Sequence, residues 1–335
     1  MRIFILFIVL LVTTGTTTAQ EQARMVFYNV ENLFDPSDDP DTNDEEFTPE
    51  GRLHWTRARY TDKLLKIAEV LEAAGSGEWP VGIGLCEVEN RKVLEDLTEK
   101  SILVKGGYRI VHAESPDRRG IDVAFLYRAA LFEPLRTASL PVSEDTLLYT
   151  RDILYVSGIL RGKDTLHLFV CHFPSMTGGE LQSEWKRKEA ARVVRSRVDS
   201  IQRVNPSAAV LIMGDLNGKA DRPAQREVLK TRAPKGRIRD SYLYNTGYHL
   251  LNNAAAGSYR YRGNWQTIDH LIVSGAMLNG KSPIQADRRL TVCAPSFLLE
   301  EDKSHFGFKP FRTYLGFRYH GGYSDHLPVY VDLFL

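Results

Sequence analysis

Residues 208–217 have the sequence AAVLIMGDLN, an unbroken apolar run that ends in a glycine, a carboxylic acid and an amide. A short run of this kind, rich in β-branched residues, predicts a strand buried on both faces. Asp215 and Asn217 come directly after it. A buried carboxylate at the mouth of a strand costs free energy unless it is partnered. The stretch therefore predicts a sheet with a functional site at one rim.

The same pattern recurs along the chain and indicates the fold class. Further strand-like runs lie at residues 25–30, 81–86, 121–127, 165–171, 268–273 and 327–334. Helical patterns lie at residues 56–74 and 180–203, with a shorter candidate at 91–104. Strands outnumber helices and several follow one another directly, which favours an α+β fold over strict β–α alternation. With no repeat, linker or composition change, we expect one domain over residues 23–335.

Polar side chains stand where most of these runs begin or end. Besides Asp215 and Asn217, they are Asn29, Glu87, His172, Asp269, Asp325 and His326. Any one of them alone would more often be a satisfied structural group. Together they form a chemical set, since carboxylates bind hard divalent cations and imidazoles transfer protons near neutral pH. No zinc spacing of His and Cys and no Walker-type glycine loop is present, so zinc and nucleotide-triphosphate sites are disfavoured.

The ordered motifs around these residues resemble the endonuclease/exonuclease/phosphatase superfamily, which includes DNase I-like nucleases, sphingomyelinases and inositol-polyphosphate phosphatases. The matching pieces are YNVENLF at 28–34, LCEVEN at 85–90, RGIDVA at 119–124, HFP at 172–174, GDLN at 214–217, IDH at 268–270 and SDHLP at 324–328. The chain is most similar to the secreted bacterial branch. The resemblance implies a four-layer sandwich of two packed mixed β-sheets flanked by helices, and metal-dependent phosphoester hydrolysis.

The resemblance also implies a role for each residue of the metal site. Glu87 would be the principal metal ligand, with Asn29 and Asp325 completing or supporting the site. Asp215 and Asn217 would orient the attacking water and stabilise the transition state. The implied cofactor is Mg²⁺, with Mn²⁺ as an alternative. A cation neutralises charge on the phosphoryl oxygens, which is worth several kcal/mol at the transition state.

The histidines take the acid and base roles that the resemblance implies. Asp269 would pair with His326 and set its tautomer, and His172 would donate to a phosphate oxygen or act as an acid. Asp122 is a candidate partner for His172, although the alignment there can slip by one residue. Arg119 would contact the substrate phosphate. Which histidine is the acid and which the base stays open from the sequence.

Net charge is +1, but it is unevenly distributed. Residues 35–50 contain eight acids and no base, and their spacing from Asp39 to Glu50 matches a calcium-loop count. Asp44 stands where such a loop needs glycine, and Pro40 and Pro49 interrupt it. We therefore favour a solvated acidic loop over calcium binding.

Two segments combine aromatic and basic residues and are candidate substrate contacts. They are residues 303–323, which contain Arg312, and residues 258–265. In the second segment Tyr259, Arg260, Arg262 and Trp265 would stack on bases and hold phosphates. The alternative for both segments is a folded loop or hairpin whose aromatic side chains pack inward while the charged ends stay in water.

The first residues predict that the protein is exported, and we do not expect them to belong to the folded domain. A basic start, ten apolar residues at 3–12 and a small polar stretch predict a signal peptide over residues 1–19, cleaved after Ala19. An uncleaved anchor is the alternative. The apolar run is too short to span a membrane, so we expect a secreted or periplasmic protein without membrane insertion. Cys86 and Cys171 lie in apolar runs, so we expect buried thiols rather than a disulfide between them.

The leading hypothesis is an exported Mg²⁺-dependent phosphodiesterase acting on nucleic acid, most simply an endonuclease. The runner-up is a phosphatase or phosphodiesterase acting on small or lipid phosphoesters. A third hypothesis is a binding protein that kept the fold and lost catalysis, but every expected catalytic residue type is present. We infer no protein partner and expect a monomer.

Overall fold

The structure, a computed structural model, describes residues 21–142 and 148–335. The predicted signal peptide at residues 1–19 lies outside the described residues. Three α-helices are present in this part of the chain: α1 (Arg57–Gly75), α2 (Arg91–Glu99) and α3 (Glu180–Val204). All three were predicted, and the end of the 91–104 candidate is a separate 3-10 turn, Ile102–Gly106. No helix of the described residues is long and apolar enough to cross a membrane.

The strands of the described residues follow in chain order. They are β1 (Gln22–Leu33), β2 (Gly82–Val88), β3 (Tyr108–His112), β4 (Asp122–Arg128), β5 (Phe132–Leu140), β6 (Ile153–Leu160), β7 (Asp164–His172), β8 (Ala209–Asp215), β9 (Thr231–Arg232), β10 (Leu243–Asn245), β11 (Tyr259–Tyr261), β12 (Asn264–Gln266), β13 (Asp269–Ser274), β14 (Gln285–Ala286), β15 (Thr291–Val292), β16 (Leu299–Glu301), β17 (Phe308–Pro310), β18 (Tyr314–Leu315), β19 (Arg318–Tyr319) and β20 (Val329–Phe334). Each of the seven apolar runs forms one of these strands.

Two seven-stranded mixed sheets form the centre of the fold. The first has the order β14-β20-β1-β2-β4-β3, with β15 also paired to β20. The second has the order β5-β6-β7-β8-β13-β10-β9. Within them β1 and β2, β7 and β8, and β9 and β10 are parallel pairs. The remaining pairs within the two sheets are antiparallel.

Alternation along the strands explains why the sheets stack. In β1, Met25 and Phe27 pack toward the second sheet, in a cluster that contains Met213 and Leu271. Val26 and Tyr28, one residue out of phase, point to the opposite face and join the cluster that contains α1 and α2 residues. A third cluster packs α3 on the outer face of the second sheet. The result is the predicted four-layer α+β sandwich.

Local sequence explains where the helices begin. Thr56 caps α1 by accepting a hydrogen bond from the Arg59 amide, and Asn90 caps α2 by accepting from the Val93 amide. A side-chain cap satisfies one of the amides that the first helical turn leaves without a partner. Tyr60, Leu64 and Ile67 then bury the predicted face of α1.

The acidic segment 35–50 docks against the first sheet. Trp55 is fully buried and donates its indole N–H to the Phe34 carbonyl at 2.9 Å, while Phe47 stacks on Phe34 with ring centroids 4.1 Å apart. Asp44 is buried and accepts from the Asp39 amide. Within the described residues the segment's carboxylates do not converge on a common point.

The three cysteines are free thiols. Cys86 and Cys171 are buried, Cys293 is half-buried, and burial raises the pKa of each thiol. The prediction of buried thiols at Cys86 and Cys171 is therefore confirmed.

Candidate active site

Sheet topology brings the predicted polar residues to one rim. The carboxyl ends of the parallel pairs β1–β2 and β7–β8 carry Asn29, Glu87, His172 and Asp215. Strands β13 and β20 run antiparallel to β8 and β1, so their amino ends reach the same rim. In the register of the second sheet, Asp215 lies beside both His172 and Asp269.

Close packing of β7 and β8 requires the glycine that precedes Asp215. A Cβ at Gly214 would lie 2.4 Å from the Cys171 carbonyl oxygen. Any larger residue would push β8 away from β7 and separate Asp215 from His172.

The backbone at this rim is locally strained. Glu31, Asn32, Glu87 and Asn217 all have positive φ, from 46° to 61°. Left-handed backbone at a non-glycine residue costs on the order of 1–3 kcal/mol and is concentrated at functional sites. In β1 the strain accompanies an irregular register between Asn29 and Leu33.

Asp269 and His326 form a buried pair. His326 Nδ1 lies 2.8 Å from Asp269 Oδ2, which leaves Nε2 as the ring nitrogen that faces the cleft. Burial alone would lower the pKa of His326. The charge and hydrogen bond of Asp269 and the charge of Asp215 outweigh it and raise that pKa well above its usual range. This environment favours the protonated form of His326.

Asp215 lies between the two histidines. Its Oδ1 accepts the main-chain N–H of Asn217 at 2.9 Å, and its Oδ2 accepts Asn29 Nδ2 at 3.2 Å. The side-chain amide of Asn217 donates instead to the Phe173 carbonyl at 2.9 Å. The same Oδ2 lies 3.8 Å from Nε2 of both His172 and His326. Burial, followed by the charge of Asp269, raises the pKa of Asp215 to about 7.

His172 has the opposite protonation preference from His326. It is buried, and desolvation together with the positive charge of Arg151 lowers its pKa well below the usual range. A neutral imidazole carries one N–H, and Nε2 is the nitrogen that faces the carboxylates of Glu87 and Asp215. The predicted pairing with Asp122 is wrong, because Asp122 contacts His112 Nε2 at 3.2 Å.

Glu87 presents its carboxylate at the bottom of the cleft. Oε1 accepts Asn29 Nδ2 at 3.3 Å and Oε2 accepts the Asn32 amide at 3.0 Å. The side chain is 16% exposed, so one side of the carboxylate remains open to a ligand. Asn29 Nδ2 thus joins Glu87 to Asp215 and fixes the spacing of their carboxylates.

Arg312 is the centre of a second group of charged residues, in which Arg312 and Asp325 were predicted site residues and Glu31 was not. Arg312 Nε donates to Glu31 Oε1 at 3.0 Å and its Nη2 lies 3.2 Å from Asp325 Oδ2. Glu31 Oε2 accepts the Thr313 amide at 2.7 Å. Arg312 was predicted to bind substrate phosphate, and the structure places it in the cleft lining with its guanidinium on two carboxylates. Glu31 was not singled out, although it lies inside the YNVENLF motif.

Beneath this group lies a buried lysine that sequence reasoning did not single out. Lys63 Nζ donates to Thr313 Oγ1 at 2.6 Å and to the Tyr323 carbonyl at 2.5 Å. Burial lowers the pKa of Lys63 to about 8, although nearby carboxylates oppose the shift. Lys63 therefore anchors α1 to the loop that carries Arg312.

The donor set of the rim fits a hard divalent cation. Carboxylates of Glu31, Glu87, Asp215, Asp269 and Asp325 gather here. Within the described residues, buried Asp269 Oδ1 has no hydrogen-bond partner. Ligand atoms of Asp215, Asp269 and His326 lie within 4.8 Å of one another. Oxygen-rich sites of this kind suit Mg²⁺ or Mn²⁺ rather than thiophilic metals. Glu87 is the donor with an open side, and Asn29 lies beside it. Asp325, the other predicted ligand, is paired with Arg312.

These groups line a cleft of about 770 Å³. Its walls add basic and aromatic side chains: Arg119, Lys219, Arg222, Tyr259, Tyr261 and Arg312. Arg222 is engaged with Glu180 at 2.7 Å. The ring of Tyr259 lies against His326, with centroids 4.8 Å apart. Lys219 was not singled out in the sequence, although it follows the GDLN motif by two residues.

Two predicted phosphate contacts lie elsewhere. Neither Arg260 nor Arg262 lines the cleft, as far as the described residues define it. The guanidinium of Arg260 is buried and donates to main-chain carbonyls, including that of Phe306 at 2.6 Å. It therefore joins the β11–β12 hairpin to the loop before β17 and has a structural role.

In the aromatic-basic segment 303–323, some aromatic side chains pack inward and others are exposed. Phe311 and Tyr323 pack together, with ring centroids 6.1 Å apart, so this part is a folded loop. Phe306, Phe308 and Phe317 are instead exposed.

Comparison with known proteins agrees with this geometry. Residues 24–334 match the endonuclease/exonuclease/phosphatase family. The chain belongs to that family. Its members are hydrolytic phosphoesterases that depend on a divalent metal, so the chain is a metal-dependent phosphoesterase. The resemblance inferred from the ordered motifs is confirmed.

Solved structures of family members share the fold. A family protein from Bacteroides thetaiotaomicron is 15% identical and has a TM-score of 0.59, with 94% of this chain and 98% of that chain covered. A mannosyl-6-phosphatase from Bacteroides thetaiotaomicron VPI-5482 is 16% identical at TM-score 0.59, with 93% and 99% covered. Truncated TDP2 from Caenorhabditis elegans is 14% identical at TM-score 0.55, with 94% and 98% covered. A search of curated proteins finds no match.

Proposed function

We propose that this phosphoesterase hydrolyses phosphodiester bonds in nucleic acids, most simply as an endonuclease, with Mg²⁺ as its metal and Mn²⁺ able to replace it. The observation that carries the proposal is the position of Tyr259, whose ring lies against His326 in the cleft that Asp215 also lines. An aromatic face next to the reacting groups is suited to stacking a nucleobase. Tyr261 extends the same wall and is 48% exposed.

Basic side chains in the cleft complement the phosphates of such a substrate. Arg119 is about half exposed, and its only carboxylate neighbour among the described residues is Asp117 at 3.6 Å. Lys219 lies in the lining without an ion pair to any described carboxylate. Cations at two points of the wall would hold phosphates on either side of the bond that is cleaved.

In the proposed reaction Asp215 orients a water molecule and takes its proton as the water oxygen attacks phosphorus. A carboxyl with a pKa near the working pH is suited to this role. The imidazolium of His326 and the neutral Nε2–H of His172 donate to non-bridging phosphoryl oxygens, which gain negative charge in the transition state. The bond to the leaving oxygen breaks on the side opposite Asp215, and that oxygen takes a proton from solvent.

When bound, the divalent cation supplies charge neutralisation at the phosphoryl group. Glu87 would hold it, with Asn29 and Asp325 as supporting ligands. Asn29 and Asn217 also fix Asp215 through the hydrogen bonds described above. Asp269 keeps His326 protonated and correctly oriented.

We further propose that the protein is exported, on the strength of the sequence of residues 1–19 alone. Mass spectrometry of the mature chain from the natural host would show a first residue close to Gln20. An intact Met1 would contradict cleavage.

The test is a paired assay on the mature protein and the His326→Ala variant, with Mg²⁺ and with EDTA. Supercoiled plasmid, single-stranded RNA, sphingomyelin, a sugar phosphate and a chromogenic phosphodiester are the substrates. We expect metal-dependent nicking of plasmid or cleavage of RNA that the variant loses. Release of phosphate from the sugar phosphate, or headgroup from sphingomyelin, with nucleic acid intact would overturn the nucleic-acid proposal.

A control variant measures the contribution of a substrate contact separately from that of the reacting groups. Tyr261→Ala should weaken cleavage of nucleic acid and leave hydrolysis of the chromogenic ester within about twofold, because base stacking contributes roughly 1–3 kcal/mol only when a base is present. Equal loss on both substrates would contradict the stacking role.

A further inference from the structure

A second basic groove lies at the edge of the second sheet, away from the catalytic rim. It is about 770 Å³ in volume, and its lining has no carboxylate among the described residues. We call it the β9–β10 surface, defined by five cations and one ring: Arg226, Arg232, Lys235, Arg237, Arg239 and Tyr242. Strand β9 is the last strand of its sheet, so the groove is open to solvent.

The cations of this surface lack neutralising partners. None of the five lies within 4.0 Å of a carboxylate of the described residues. The two acids nearest in sequence are occupied elsewhere: Glu227 pairs with Lys188 at 3.3 Å, and Asp240 accepts Asn279 Nδ2 at 2.6 Å. The surface therefore keeps an uncompensated positive charge.

Two basic residues on the neighbouring helix α3 differ from these cations. Arg187 pairs with Glu184 at 2.8 Å, and Arg195 pairs with Asp199 at 2.6 Å. Both guanidinium groups are largely buried, and each is neutralised by an acid one turn along the same helix. The five cations of the β9–β10 surface have no such acid among the described residues.

The arginines at this surface are preorganised by a tyrosine. The guanidinium of Arg232 lies 4.3 Å from the centroid of the Tyr242 ring. Arg239 Nη1 donates to the Tyr242 hydroxyl at 2.9 Å, and the Arg239 amide donates to the hydroxyl of buried Tyr244 at 2.9 Å. Stacking and hydrogen bonding restrict two guanidinium groups without neutralising them. Less conformational entropy is then lost when they bind an anion.

We propose that the β9–β10 surface binds the phosphate backbone of a nucleic acid strand, at a site separate from the catalytic cleft. Arginine is well suited to phosphate, since its planar N–H groups match two phosphate oxygens. A row of several cations in one groove fits a polymer with a phosphate at every unit. Tyr248 adds a ring that suits stacking against a nucleobase.

Register separates this surface from the reacting groups. The Tyr242 carbonyl accepts the Gly275 main-chain N–H, six residues beyond Asp269 and just past the end of β13. At about 3.3 Å per residue this end of the surface lies about 20 Å from Asp269. The Arg226 end is nearer the cleft, since the Arg226 N–H donates to the carbonyl of cleft-lining Arg222. A bound strand is therefore held outside the cleft, which would retain long nucleic acids on the enzyme while the cleft acts. This binding goes beyond the proposed function and does not require catalysis.

The test measures binding by fluorescence anisotropy, using a labelled 20-nucleotide DNA strand and Glu87→Gln protein in EDTA so that no cleavage occurs. The test variant adds Arg232→Gln, Arg237→Gln and Arg239→Gln. We expect affinity to fall at least tenfold at 0.1 M salt. The slope of log affinity against log salt should become shallower by about two, since each phosphate contact on a single strand contributes about 0.7.

A charge-matched control neutralises three basic side chains that form ion pairs elsewhere on the protein. Arg91→Gln, Lys100→Gln and Arg192→Gln alter residues that contact Glu95, Asp96 and Glu189. This control should bind the DNA strand as the parent does. Equal weakening in both triple variants would show a general charge effect and overturn the proposal. If the test variant has a lowered melting temperature, the exposed double variant Lys235→Gln/Arg237→Gln replaces it, with at least threefold loss expected.

Further measurements separate this proposal from others. With Glu87 restored, the test variant should hydrolyse a chromogenic phosphodiester at the parental rate. Weakened DNA binding in a protein that cleaves no nucleic acid would support this surface and contradict the proposed function. Unchanged DNA binding, with loss of binding only to vesicles containing phosphatidylserine, would overturn the nucleic-acid assignment in favour of an anionic membrane.

Discussion

His326 Nδ1 lies 2.8 Å from Asp269 Oδ2, with both side chains buried at the rim where the two sheets meet. The pair comes from different sheets, because Asp269 begins β13 and His326 precedes β20. Because the two residues come from different sheets, the protonation state of His326 depends on how the two sheets stack.

Asp269→Asn should lower kcat by about 10²–10⁴-fold while leaving the melting temperature near that of the parent. An amide can still accept from Nδ1, so packing is kept, but the charge that holds His326 protonated is lost. In a serine protease triad, the comparable change costs about 10⁴-fold in kcat. Steady-state kinetics on the chromogenic ester with Mg²⁺ provides the measurement.

The double variant Asp269→Asn/His326→Gln serves as the control for this pair. If Asp269 acts through His326, the double variant should be no slower than His326→Gln alone. Multiplicative losses would contradict a shared role.

Glu87→Gln should abolish measurable Mg²⁺ binding in calorimetry and lower turnover at least 10³-fold. The reason is that Glu87 offers the carboxylate of the rim that is open to a metal ion. The groups that hydrogen-bond to it, Asn29 Nδ2 and the main-chain N–H of Asn32, remain in place in the variant. Stability should change little, because the glutamine keeps the size of the side chain. Glu180→Gln is the matched control, since Glu180 also lines the cleft but pairs with Arg222. Retained metal affinity in Glu87→Gln would remove it from the metal site.

Continuous apolar runs made the central strands predictable. Strands β5 and β6 were not predicted. Strand β5 lies at a sheet edge and most of its side chains, such as Glu133 and Arg136, are exposed, so its apolar signal is weak. Pro134 and the register shift beside it weaken the pattern further. Burial on both faces made strands such as β8 visible in the sequence. It does not account for β6, which is buried along almost its whole length and was still not predicted.

Polar residues at strand ends were also predictable, since each interrupts an apolar run. The pairing of Glu31 with Arg312 was not, because the two residues are 281 positions apart and meet only through the fold. Arg260 shows the reverse problem. Its segment has the composition of a nucleic-acid contact, but the carbonyls of the loop before β17 occupy its guanidinium. Composition alone does not distinguish a basic side chain that is free to bind a substrate from one whose guanidinium is already hydrogen-bonded within the protein.

Lys63→Met should destabilise the protein by about 2–4 kcal/mol. Methionine fills a similar volume but leaves Thr313 Oγ1 and the Tyr323 carbonyl without their buried donor, and an unsatisfied buried polar group costs about 1–3 kcal/mol. Lys188→Met, on helix α3, is the control. Lys188 pairs only with exposed Glu227 among the described residues, so its loss should cost less than about 1 kcal/mol. Urea denaturation compares the two, and equal losses would contradict a special role for Lys63.

Glu89 makes the stability of the protein depend on pH. It is buried, and burial together with the charges of Asp35 and Asp44 raises its pKa to about 8, although the Asp35 amide donates to it. The ordinary value for a glutamate is about 4.5. The folded state therefore holds this proton more tightly than the unfolded state. By linkage, the contribution of Glu89 to the free energy of unfolding is greatest below about pH 4.5 and declines as pH rises toward 8.

Glu89→Gln should remove this decline, because glutamine stays neutral at every pH. One pKa unit corresponds to about 1.4 kcal/mol, and we expect the variant to gain about 1–3 kcal/mol over the parent at pH 8 and almost nothing at pH 5. Urea denaturation in EDTA at pH 5, 6.5 and 8 measures the difference. Glu95→Gln is the control, since Glu95 is exposed and pairs with Arg91; its stability should follow the parental pH dependence. A Glu89→Gln profile parallel to that of the parent would show that Glu89 is already ionised in the folded protein at pH 5.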